Sequence, residues 1–107
     1  MLVQQFVDRK SVQLSFYLRS FWQNEIPHSE LRIFIWDVLE EWTQVSDTNL
    51  QMYSQKERLF WHLIYQAAYW EPFELLDQDQ IQPQLESCLY FMESGTLCPL
   101  DIVGIRP

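Results

Sequence analysis

Only two glycines stand in 107 residues, Gly95 and Gly104. Sheets joined by tight turns draw on glycine for backbone angles that other residues avoid. So sparse a supply steers the chain toward helices with short connections, and it leaves no glycine-rich loop to cradle a phosphate. The length suits one domain covering residues 1–107. At this size folding hides about 60–70% of the unfolded surface, enough for a core without metal or disulfide. The filling is unusual: five Trp, five Tyr and seven Phe. Each such ring buries on the order of 150–250 Å². A small interior does not need them all, so some are expected at the surface.

The formal charge is −8 and unevenly spread, with Arg106 the one base among seven acids in residues 59–107. An acidic chain repels phosphate, which argues against direct binding of nucleic acid. It also lacks the basic cluster that anionic membranes attract, and no apolar run approaches the ~18 residues of a membrane span. The field suits a basic protein partner, although acidity also serves solubility alone. The opening stretch, with Gln4, Gln5, Asp8, Arg9 and Lys10, does not read as a signal peptide. Cys88 and Cys98 are too few for a disulfide framework. The expected compartment is therefore the cytoplasm.

Helical spacing organises most of the chain. Val3, Phe6, Val7, Lys10, Leu14, Tyr17, Leu18, Phe21 and Trp22 predict a helix over about 3–22, with Lys10 snorkelling. Alternation at Val12, Leu14, Phe16 and Leu18 offers a competing strand, which would pair residues 11–19 with the tail around Asp101–Ile105. A second helix starts near Pro27, with Leu31, Phe34, Ile35, Val38, Leu39, Trp42 and Val45 on one stripe. Ile33 and Trp36 break that pattern on its polar side.

Ser46–Asn49 reads as a turn, and Ser54 with Glu57 matches a capping box. The third helix runs to about Trp70 on Leu59, Phe60, Leu63, Ile64, Ala67 and Trp70. Trp61 and Ala68 widen that stripe past half the circumference, as in a central helix. A short turn of helix is expected within Glu71–Asp77. Pro83 suits the start of a last helix, Ile81, Leu85, Cys88, Leu89 and Met92 keep strict spacing, and Gly95 fits its stop. Thr96–Pro107 reads as an extended tail that packs Leu97, Leu100, Ile102, Val103 and Ile105 on the body. The expected fold is all-α, a compact bundle of about four helices with an extended C-terminal tail. The α+β arrangement is the alternative.

No residue pattern supports catalysis. Glu25 and His28 have the Glu-x-x-His spacing of di-iron bundles, but Pro27 falls between them and no second copy exists. Cys88 and Cys98 lack zinc-ligand spacing, and no nucleophile motif is present. No enzyme, metal or cofactor is expected.

Three surfaces are candidates for binding. Ile33, Trp36, Trp61 and Phe73 form a candidate aromatic patch, of the composition that interface cores favour. Glu71, Glu74, Asp77, Asp79 and Glu86 form an acidic segment around Phe73, Leu75 and Leu76. Arg58, His62, Tyr65 and Tyr69 lie in a row on the third helix and could hold an anion, or could simply cover apolar neighbours. The function expected from these is a small acidic protein-binding module, a regulator or inhibitor of a basic partner. The alternatives are a small-ligand or effector-binding domain built on Arg58–Tyr69, or a structural subunit of a homo-oligomer such as a homodimer.

Overall fold

A computed structural model describes residues 2–46, 48–99, 102 and 104–107. Among them no strand forms, and helical spacing prevails over residues 11–19, which lie inside α1 (Val3–Trp22). The start of α1 borrows side-chain acceptors: Gln51 Oε1 takes the Val3 N–H at 2.8 Å, and Gln5 Oε1 the Leu2 N–H at 3.0 Å. Its end is a Schellman closure. Asn24 adopts φ 64°, and the Glu25 N–H reaches back to the Ser20 carbonyl at 2.8 Å. Asparagine tolerates this left-handed position better than other non-glycine residues. Lys10 snorkels as expected: its stem is buried and its ammonium pairs with Glu41.

Pro27 sits in extended backbone just ahead of α2 (His28–Trp42). The two helices lie antiparallel. Phe6 meets Trp42 at 5.5 Å between ring centroids, Tyr17 stacks on Phe34 at 4.6 Å, and Phe21 meets His28 at 5.6 Å. Val45, expected on the α2 stripe, lies beyond the helix and is half-buried in the turn that follows. Asp47, within the expected Ser46–Asn49 turn, lies outside the described residues, and Thr48–Leu50 make one turn of 3-10 helix.

Next comes α3 (Gln55–Tyr69), capped by Ser54, whose Oγ accepts from the Glu57 N–H at 3.1 Å. It runs parallel to α1, with Lys56 paired to Asp8 at 2.9 Å near both starts. Glu71 and Pro72 break the helix, and α4 (Pro72–Leu75) adds a single turn. Leu75 pins that turn: its side chain is buried and its carbonyl accepts from Trp22 Nε1 at 3.0 Å. Finally α5 (Ile81–Ser94) starts earlier than the expected Pro83, which sits within its first turn, and stops at Gly95 with φ 72°. The long helices alternate up, down, up and down, with α3 touching α1, α2 and α5.

Two readings of α3 are corrected. Trp61, expected at an exposed aromatic patch, is fully buried. Its ring lies 4.8 Å from Phe60, 4.9 Å from Trp42 and 6.3 Å from Phe6. A helix with neighbours on three sides buries a wider arc than one stripe predicts, and Trp61 closes the α2 side of that arc. Ala68, expected to widen the same stripe, is exposed. The tail also differs from expectation. Leu97 and Ile105 face solvent, and Ile102 is half-buried. Leu100, Asp101 and Val103 lie outside the described residues.

Candidate functional site

The polar row on α3 is where the tail lies down. The spacing of Arg58, His62 and Tyr65 puts them on one side of the helix, and residues 104–106 run along it. Gly104 sits so close that an added Cβ would fall 2.0 Å from the Arg58 carbonyl oxygen and 2.8 Å from the His62 nitrogen. The Tyr65 hydroxyl donates to the Ile105 carbonyl at 2.7 Å, and the Arg106 N–H donates to the Tyr53 hydroxyl oxygen at 2.9 Å. Tyr69, the fourth member of the row, is exposed with its ring against Trp70 at 4.9 Å.

Arg106 then turns inward. Its guanidinium lies over the Tyr53 ring, 4.1 Å from the centroid. Nε donates to Glu57 Oε2 at 2.5 Å and Nη2 to Oε1 at 2.8 Å, a bidentate pair. Nη1 donates to the Thr48 and Gln51 carbonyls, and Nη2 also reaches the Met52 carbonyl at 3.4 Å. Glu57 is only 1% exposed, and Trp61 Nε1 donates to its Oε2 at 3.0 Å. Glu57 holds the Arg106 guanidinium even more firmly in its charged form than usual. The expected capping box is thus half made. Ser54 caps Glu57, but the Glu57 carboxylate serves Arg106 and Trp61.

Tyr53, Glu57, Gly104 and Arg106 were not among the sequence candidates. The signal was present in Arg106, the lone base among seven acids in residues 59–107. A solitary cation in an acidic stretch is a candidate for one specific carboxylate.

Ile33 and Trp36, one turn apart, do lie together on the outward face of α2, opposite Leu31, Phe34, Ile35, Val38 and Trp42. They are 53% and 66% exposed. Glu30, Asp37 and Glu40 stand exposed on the same side and form no ion pair with a described residue. Phe73 is exposed on α4, a different element, beside exposed Glu71 and half-buried Glu74. Asp77 is half-buried, while Asp79 and Glu86 are exposed. The structure therefore divides the expected patch into an α2 face, an acidic α4 knob and the buried Trp61.

Among the described residues no three His, Cys, Asp or Glu side chains converge to hold a metal ion. Burial, with Cys98 nearby, pushes the Cys88 thiol up and keeps it protonated, which makes it a poor nucleophile. Burial also lowers both imidazoles, His62 by desolvation alone and His28 with help from Arg32 against Glu71. The unfolded chain takes up these protons near the ordinary value of 6.5, and the folded chain does so only at lower pH. Stability must therefore fall as pH drops below about 6.5. The thermal midpoint is expected to decline between about pH 7 and pH 5, with His62→Gln flattening the decline. An unchanged slope in that variant would contradict the burial of His62.

The chain matches no protein-family model, no curated protein and no solved structure.

Proposed function

We propose that this chain is a protein-binding module, a regulator or inhibitor that engages a basic and partly apolar partner through the outward face of α2. The observation that carries this reading is Trp36. An indole offers on the order of 150–250 Å² of contact surface, and here it stands in solvent on the side of α2 away from the core. Ile33 extends the apolar surface by one turn. Glu30, Asp37 and Glu40, against the exposed Arg32 at one edge, give it a net acidic rim, and such a rim favours encounter with a positively charged surface. The acidic knob of α4 adds to the same field. Pairing this face with a second copy of itself would set like charges against each other, so the purified chain should scatter light as a monomer.

The test is quantitative affinity capture from native lysate. Proteins held by the wild-type chain should be lost with Trp36→Ala, which as an interface anchor is expected to cost about 2 kcal/mol or more, roughly thirtyfold in affinity. Retention should also weaken as salt rises toward about 1 M, where the screening length shrinks to about 3 Å. A retained protein indifferent both to Trp36→Ala and to salt would remove the α2 face from consideration.

A further inference from the structure

The fit of the tail to α3 carries a second inference, independent of the α2 face. Arginine has five N–H donors and no acceptor. In Arg106 all five meet an acceptor: the two Glu57 oxygens and the carbonyls of Thr48, Gln51 and Met52. The Tyr53 ring covers one face of the plane. Lysine, with a point charge and three donors, cannot reproduce that pattern.

Two residues earlier, the close approach to the Arg58 carbonyl admits only glycine. Between them, Ile105 is held by its carbonyl alone while its side chain faces solvent. The contacts therefore select Gly, ignore the next side chain, and select Arg. Stability by itself does not require such an arrangement, since an apolar pair of similar volume commonly serves as well as a buried ion pair.

We propose that the groove formed by Tyr53, just ahead of α3, and by Glu57, Arg58, His62 and Tyr65 on α3 is a recognition groove for a Gly-x-Arg peptide segment. In this chain residues 104–106 fill it in cis, and when they withdraw it takes the same segment in trans. Withdrawal of residues 104–106 alone leaves Ile102 packed on the core and moves no buried apolar side chain, because Ile105 is exposed already. What withdrawal loses is the set of Arg106 hydrogen bonds and the partner of Glu57, and the same segment bound in trans restores both.

The experiment uses the full chain carrying Arg106→Ala and the capped peptide Gly-Ile-Arg-Pro as probe. The indole N–H of Trp61, bonded to Glu57 Oε2, is the NMR reporter. Its resonance should move in the variant and return saturably toward the wild-type position as peptide is added. Peptides with Lys in place of Arg, or Ala in place of Gly, should bind at least about tenfold more weakly, a difference of about 1.4 kcal/mol. The filled groove of the wild-type chain should show no comparable response. Equal binding of the three peptides, or an equal response of the wild-type chain, would overturn the proposal. If Arg106→Ala does not fold, Arg106→Lys keeps a cation against Glu57 and is read in the same way.

Discussion

Trp61→Ala is expected to lower the stability of the chain by about 3–5 kcal/mol, the cost of truncating a large aromatic residue in a packed core. A domain of this size has about 5–15 kcal/mol in total, so the variant should lose a large share of its stability. The ring sits among Phe6, Trp42 and Phe60, each within 6.3 Å of it between centroids. All three belong to the same buried cluster, which cannot collapse freely into the space left behind. The loss has a second component, because Trp61 Nε1 is a hydrogen-bond donor to the buried Glu57 carboxylate. Trp61→Phe separates the two. It keeps most of the ring and removes the donor, so it should cost about 1–3 kcal/mol, as expected for leaving a buried acceptor short. Urea unfolding followed by circular dichroism measures both. A loss under about 1 kcal/mol for Trp61→Ala would contradict its place in the core.

Arg106→Ala is expected to cost about 3–5 kcal/mol, because it strands the Glu57 carboxylate in a site closed to water. The side chains of the pair are 10% and 1% exposed, so salt should change the effect little. Adding Glu57→Leu to Arg106→Ala should recover much of the stability, since an uncharged interior no longer needs a cation. Comparing the two variants under the same denaturant isolates the stranded charge from the lost tail contacts. If the single variant is as stable as wild type, Glu57 reaches water and the recess is open. By contrast the Arg19–Glu93 pair, although bidentate at 2.5 and 2.6 Å, has side chains 46% and 39% exposed. Its removal should cost no more than about 1 kcal/mol.

The helices were legible because their signals are local. The apolar stripes of α1, α2 and α5, the Ser54 cap and the Gly95 stop each lie within a few residues of the structure they determine. Trp36 and Ile33 were legible for the same reason, since they interrupt a stripe on their own helix. Trp61 was legible only in part: it widened the α3 stripe, as in a central helix, yet it also entered the expected surface patch. Its final position depends on how many neighbours α3 acquires, and that is settled by Phe6 and Trp42, distant in sequence. The tail groove was hidden more deeply. Glu57 looked like half of a capping box, and only the approach of Arg106, 49 residues away, shows its other partner. Gly104 carries no local sign of its role, because its constraint is a carbonyl on α3 rather than an angle of its own backbone. The acidic segment was legible as composition, but its separation from the α2 face was not.

The pairing of Glu57 with Arg106 also sets an order for biosynthesis. Chains emerge at about 5–20 residues per second. Several seconds therefore separate the completion of α3 at Tyr69 from the arrival of Arg106. During that interval α1, α2 and α3 can meet, but the carboxylate lodged beside Trp61 has no cation. The nascent helices must hold that corner open to water. The final tightening around Tyr53 and Trp61 is therefore deferred until residue 106 has been made. Translation that stops short of it would leave a compact but loosened intermediate, the form that quality-control proteases would meet first.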